Sequence, residues 1–112
     1  MDEAAAAYAR AAIAHASAIA DGDSSAANRA HDLILAALRE LRSGTDRGQS
    51  RLEYLAGRDQ SAVQVWAATH LLPLNEPAAL SILTRLKSES GEFEFEASVT
   101  INEWKAGKLK VP

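Results

Sequence analysis

The three histidines are the first residues to test for chemistry, because neutral imidazole is a common metal ligand and a general base near neutral pH. His15, His31 and His70 fall on three different predicted helices, and none has a second His or a carboxylate four residues further on. No single helix therefore carries two metal ligands on one face, as a helical metal-binding motif would. His70 lies on an apolar stripe, which indicates a hydrogen-bonded core residue. A catalytic pocket at His31 or His70 is the alternative, and it would need groups from other helices.

The densest local group of polar residues is Asn28, Arg29 and Asp32. Arg29 and Asp32 stand at i and i+3 of a predicted helix, where they can pair on the surface. Asn28 has a mildly unfavourable helix propensity, so we expect its amide to bond to a neighbouring loop or helix end. Recognition of a partner is the alternative role for all three residues.

Two charged stretches are candidate binding patches. Arginines bracket the polar segment 44–48, and guanidinium groups suit phosphate and carboxylate contacts. Glutamates crowd the chain after Ser88, either as a solvated helix start or as an acidic patch for a basic partner. The two groups are Arg39, Arg42, Arg47, Arg51 and Arg58, and Glu89, Glu92, Glu94 and Glu96. The predicted partner-binding residues are Asn28, Arg29, Asp32, Arg42, Arg47, Arg51, Glu92 and Glu94.

Composition narrows the function classes. The chain of 112 residues carries 12 basic and 15 acidic side chains, a formal net charge of −3. No global positive field draws it to nucleic acid or to an anionic membrane. Cysteine is absent, which removes disulfides and thiol chemistry and fits a reducing compartment. No phosphate-binding glycine loop, nucleophile elbow or membrane-length apolar run is present. We expect a cytoplasmic protein that is not an enzyme and holds no cofactor or metal.

The stretch 59–72 predicts the central packing helix. One apolar stripe at the helical period consists of Val63, Trp66, Ala67, His70 and Leu71. A second stripe lies beside it, so only a narrow strip is left for solvent, made of Gln60, Ser61, Gln64 and Ala68. Asp59 or Ser61 is the expected cap, and Pro73 ends the helix.

Five further helices complete an all-α prediction. They cover residues 2–20, 24–43, 49–56, 75–87 and 92–107, with Gly22 and Asp23 separating the first two. Tyr8, Ala12, His15 and Ile19 are expected to share the buried face of the first helix. The alternation of Glu and Phe over 92–96 also fits a short strand, but the apolar spacing that follows favours a helix. The aromatic residues assigned to the core are Trp66, Phe93, Phe95 and Trp104.

The predicted architecture is one domain, 1–112, of about six helices in antiparallel pairs, with a mobile loop near 44–48 and a short basic tail at 108–112.

Its central helix resembles the second helix of a HEAT repeat. Residues 63–71 (VQVWAATHL) match that repeat's Val-Arg-x-x-Ala-Ala-x-x-Leu pattern except at Gln64, where Arg is usual. This resemblance implies a compact HEAT-like fold with units shorter than usual.

A second resemblance covers nearly the whole chain. The chain is similar to a bacterial family of small helical proteins catalogued as the domain of unknown function two-thousand-and-nineteen. The matching segments are 22–23, 27–32, 38–42, 66–68, 77–79 and 101–107. This likeness implies a HEAT-like domain without an established activity or cofactor, with some relatives acting as immunity proteins beside toxins.

These observations predict a protein–protein interaction module, in its sharper form an immunity-type inhibitor of a toxin. The alternative is a HEAT-like protein that binds nucleic acid along an arginine-lined face, although the charge balance does not favour a nucleic-acid partner. A homodimer formed through the last helices, with Trp66 or Trp104 as contacts, also stays open.

Overall fold

A computed structural model of the chain describes residues 2–89 and 91–112, and all regular secondary structure among them is α-helical. The six helices are α1 (Glu3–Ala20), α2 (Ser24–Leu41), α3 (Gln49–Ala56), α4 (Ser61–Leu71), α5 (Glu76–Ser88) and α6 (Glu94–Lys105). The prediction of an all-α fold with about six helices is confirmed. The alternating stretch 92–96 leads into α6, for which Phe93 is the N-cap, so the helical interpretation of that stretch was the right one.

The chain divides into two compact units. The first unit runs to Arg51 and the second covers Leu52–Pro112, so the division falls inside α3. In the first unit α1 and α2 pack against each other as a hairpin. In the second unit α5 packs against both α4 and α6, which are its neighbours along the chain. Connections this short between packed helices produce the antiparallel pairs that the sequence predicted.

Side-chain caps explain where the hairpin helices begin and end. The Asp2 carboxylate accepts a hydrogen bond of 3.2 Å from the backbone N–H of Ala5, and Asp23 accepts one of 3.0 Å from Ala26. These bonds satisfy backbone donors that have no partner within the helix. Gly22 follows α1 with a φ of 70°, the left-handed conformation in which many helices end at a glycine.

The hairpin core depends on a few large side chains, since alanine contributes little area. Tyr8, Ile34, Leu38 and Leu41 are fully or almost fully buried. The predicted burial of Tyr8 and Ala12 is confirmed, but Ile19 is 59% exposed, which contradicts the prediction. Ile19 lies in the last turn of α1, beside the short connection to α2, where the partner helix is only beginning. The apolar spacing of α1 therefore extends to Ile19, although α2 does not cover α1 that far.

The central helix α4 is buried on more sides than its pattern indicated. Gln64 is 6% exposed and Ala68 is fully buried, so the predicted solvent strip is wrong at both residues. The expected cap, Asp59 or Ser61, is also wrong. The N-cap residue is Gln60, and its side chain makes no capping hydrogen bond to the helix. The predicted end is confirmed, since α4 stops at Leu71 before Pro73, and Asn75 caps α5.

The assignment of all four aromatic residues to the core is wrong for Phe95, which is 75% exposed. Trp66, Phe93 and Trp104 are half-buried. In α6 the buried residues are Ala97 and Ile101, and Phe95 stands two positions before Ala97. Two positions on a helix amount to a rotation of about 200°, so burying Ala97 turns Phe95 outward.

The described helices include none that combines the length and the hydropathy needed to cross a membrane.

Candidate functional site

The polar group on α2 is accessible but not paired as expected. Asn28, Arg29 and Asp32 are all exposed. The predicted ion pair between Arg29 and Asp32 is not found; Asp32 instead lies 3.9 Å from Nδ1 of His31. The predicted bond from Asn28 to a loop or helix end is likewise not among the hydrogen bonds of the described residues. These three side chains remain on the surface, where a partner can reach them.

Arg51 and Arg42 are engaged within the first unit. Nε of Arg51 lies 2.8 Å from Oδ2 of Asp2, the carboxylate that caps α1. Arg42 is half-buried as the residue that follows α2, and its charge acts on the buried Tyr8 phenol. Burial raises the pKa of Tyr8 well above its ordinary value, and the Arg42 charge partly opposes this rise. Both arginines therefore interact with groups of the first unit, and their predicted role in partner binding stays a prediction.

The segment 44–48 contains a built turn. The Asp46 carboxylate accepts hydrogen bonds from the backbone N–H groups of Gly48 and Ser50, each at 3.0 Å, and from the Ser50 hydroxyl at 2.6 Å. These bonds favour the charged carboxylate and lower the pKa of Asp46, the Ser50 bonds contributing most. Arg47 is exposed beside it with a φ of 56°, a left-handed conformation uncommon outside glycine.

A mixed-charge cleft of about 760 Å³ lies at the open end of the hairpin, where α1 begins and α2 ends. Arg39 and Arg51 line it together with Asp2, Glu3 and Glu40. Three carboxylates thus share the cleft with two guanidinium groups, so the surface is not basic. This arrangement reduces its attraction for a phosphate backbone.

A second groove, of about 480 Å³, runs along the hairpin between α1 and α2. We call it the alanine groove; its lining residues are Glu3, Ala4, Ala7, Arg10, Ala11, Ala14, Leu33, Ala36, Ala37 and Glu40. Leu33 on its wall is 60% exposed. The sequence analysis missed this groove. The helical spacing of Ala4, Ala7, Ala11 and Ala14 lies on α1 alone and does not indicate a groove that α2 also lines.

The predicted glutamates lie around the exposed Phe95. Glu92, Glu94 and Phe95 line a shallow groove of about 310 Å³ at the start of α6, with Lys87 and Ser98. We call this surface the Phe95 patch and define it as Glu92, Glu94, Phe95 and Glu96. All four residues are exposed. The structure thus brings the two predicted glutamates together with an aromatic side chain that sequence reasoning placed in the core.

The tryptophan of α6 is tied to the start of α5. Nε1 of Trp104 donates a hydrogen bond of 2.6 Å to a carboxylate oxygen of Glu76. This bond holds the end of α6 beside the beginning of α5, as the antiparallel pairing requires. Trp104 also lines a groove of about 450 Å³ with Leu80 and Leu109. The half-buried indole therefore links α6 to α5 through this hydrogen bond.

The histidines occupy separate environments. His70 is 1% exposed, and its ring centre lies 5.8 Å from that of Trp66, which agrees with the predicted core role. His15 on α1 faces His31 on α2 closely enough for the two to interact electrostatically, and burial is the larger cause that lowers the pKa of His15. In the part of the chain that the structure describes, no three metal-ligating side chains come together.

Comparison with protein-family models, curated proteins and solved structures found no match to this chain. The resemblance to the bacterial helical family and to HEAT repeats therefore stays a prediction.

Proposed function

We propose that this chain is a protein-binding module of the cytoplasm that holds a basic partner on its Phe95 patch. The observation that carries the proposal is the 75% exposure of Phe95 among carboxylates. An exposed aromatic ring costs free energy in water, and aromatic residues supply many of the strongest contacts in protein interfaces. The ring would provide affinity once a partner covers it.

The surrounding charge defines the partner's chemistry. Glu92, Glu94 and Glu96 place three negative charges on the two turns around Phe95. Such a group attracts a positively charged surface and raises the rate of association more than the final affinity. A partner with a basic rim around an apolar pocket fits this patch. The sharper form of the proposal is an immunity-type inhibitor, in which the patch covers a basic site on a toxin.

The arginines give weaker support to the nucleic-acid alternative. Arg51 is paired with Asp2, and Arg42 is half-buried, with its charge acting on Tyr8. A nucleic-acid surface needs several unpaired cations in one place, and the mixed-charge cleft of the first unit holds more carboxylates than arginines.

Site-specific photo-crosslinking tests the proposal. A photoreactive phenylalanine analogue would replace Phe95 in the intact chain, and a matched control would carry it at Tyr54, which is 59% exposed on α3. We expect one dominant protein to be cross-linked from position 95 and not from position 54. The products of neighbouring genes would be included, because the immunity-type reading requires one of them to bind and to lose its toxic activity.

The identified partner is then titrated with variants. Phe95→Ala should weaken the complex by about thirtyfold, as loss of an interface hot spot does. Glu92→Gln with Glu94→Gln should slow association and remove most of its salt dependence, whereas Glu103→Gln, on the same helix outside the patch, should not. Unchanged affinity of Phe95→Ala would refute the proposal.

A further inference from the structure

The groove beside Phe95 is small and carries charges of both signs. Its volume is about 310 Å³, and the charged residues that line it are Glu92, Glu94 and Lys87. This volume is at the low end of the range for ligand pockets. The groove therefore has room for one long side chain of a partner and not for a whole helix.

Glu92 and Glu94 are both exposed, and neither belongs to an ion pair within residues 2–89 and 91–112. Lys87 lines the same groove, and it too takes part in none of these ion pairs. A side chain that enters the groove displaces water from two carboxylates. This displacement costs free energy unless the entering group brings positive charge and hydrogen-bond donors. An apolar side chain brings neither.

The aromatic ring adds a second requirement. Phe95 is 75% exposed and lines the same groove, so the occupant also contacts the ring. The face of an aromatic ring attracts cations, and arginine makes such contacts more often than lysine because its planar guanidinium stacks on the ring. The guanidinium also donates paired hydrogen bonds that match the geometry of a carboxylate. A lysine ammonium supplies the charge but not the planar shape.

We propose, on the basis of the proposed function, that the Phe95 patch holds one arginine side chain of its partner. The guanidinium stacks on the part of the Phe95 ring that lines the groove and pairs with Glu92 and Glu94. The apolar surface of the partner covers the rest of the ring. Lys87 carries the same sign of charge as this arginine and weakens its binding.

Peptide selection tests the occupant without assuming a partner. Random short peptides displayed on phage would be selected on the intact wild-type chain, after removal of those that bind the Phe95→Ala variant. We expect arginine at one fixed position in the recovered peptides. The best peptide would then be synthesised with lysine or citrulline there, citrulline being a neutral side chain of nearly the same shape as arginine. Lysine should weaken binding about threefold and citrulline about tenfold.

Variants of the groove locate the bound arginine. Phe95→Leu keeps an apolar side chain but removes the ring, so the arginine and lysine peptides should bind it equally. Glu94→Gln should weaken the arginine peptide about threefold, whereas Glu103→Gln, on the same helix outside the groove, should leave its affinity unchanged. Lys87→Gln should strengthen the binding about twofold, a gain that loss of folding cannot produce.

The selection gives clear contrary outcomes. Recovered peptides that depend on Phe95 but share no arginine would overturn the proposal, and so would a selection that yields no such peptide. Equal affinity for the arginine and citrulline peptides, or no gain with Lys87→Gln, would also overturn it.

This inference and the proposed function fail separately. A cellular partner that is cross-linked from position 95 and has no arginine at the contact would support the proposed function and overturn the arginine site. Arginine-selective peptides together with the absence of any cellular partner would support the arginine site and overturn the proposed function.

Discussion

His15 shows how a single residue acquires a property that its position in the sequence does not reveal. It is half-buried on α1, and both burial and the neighbouring His31 disfavour its charged form. Its folded-state pKa is therefore lower than the ordinary 6.5. The unfolded chain binds the proton more readily, so acidification favours unfolding.

The pH dependence of stability checks this property. The contribution of His15 is complete above pH 6.5 and is lost as the pH falls below that value toward the lowered folded-state pKa. The free energy of unfolding should thus decrease between about pH 7.5 and pH 5.5, and His15→Gln should reduce the decrease. Urea denaturation at the two pH values measures it. His31→Gln should have a smaller effect because burial of His15 persists; an unchanged decrease in His15→Gln would contradict the assignment.

Gly48 illustrates a second constraint at the residue scale. Its φ is 82°, and a Cβ added there would lie 3.0 Å from the carbonyl oxygen of Leu41. Gly22 has a similar φ of 70° but has open space around its Cα. A substitution at Gly22 therefore meets backbone strain alone, whereas one at Gly48 meets strain and a backbone clash.

The two glycines form a matched pair for mutagenesis. Gly22→Ala should lower the free energy of unfolding by about 1 kcal/mol, the usual cost of left-handed backbone for a residue with a Cβ. Gly48→Ala should lower it by more than about 2 kcal/mol. Chemical denaturation of both variants gives the comparison. Equal losses would mean that the segment near Leu41 moves aside without cost.

At the scale of the helices, Asn75 connects two elements of the second unit. Its side-chain oxygen accepts from the backbone N–H of Ala78 at the start of α5, and its amide nitrogen donates to Glu53 of α3 at 2.7 Å. The same side chain therefore caps one helix and links it to another. The sequence indicated the cap, because Asn75 precedes Glu76 and Pro77, but it could not indicate the bond to Glu53.

Two substitutions separate these functions of Asn75. Asn75→Ala should cost about 1 to 2 kcal/mol of unfolding free energy, since it removes the cap and the bond to Glu53. Asn75→Ser keeps an acceptor for the cap, adds no charge and is too short to reach Glu53, so it should cost less. Thermal and urea denaturation measure both. If the Ser variant were as unstable as the Ala variant, the bond to Glu53 would be the dominant contribution.

At the scale of the whole molecule, the net charge of −3 conceals separate local arrangements. The second unit carries the acidic Phe95 patch at the start of α6, and the first unit carries a cleft that three carboxylates share with two guanidinium groups. An overall balance therefore gives little information about binding, because partners respond to charges within about a Debye length.

The sequence by itself determined the helices and most of their ends. Asp23 and Asn75 cap helices because short polar side chains satisfy free backbone N–H groups locally, and Pro73 ends a helix for equally local steric reasons. The all-α class followed from the same signals. Only the tertiary structure decided that Gln64 is buried and Phe95 is exposed. Periodicity shows which residues share a face of a helix, but the packing of other helices decides which faces are covered. For the same reason the alanine groove, a surface made by two helices, was visible only once α1 and α2 were placed side by side.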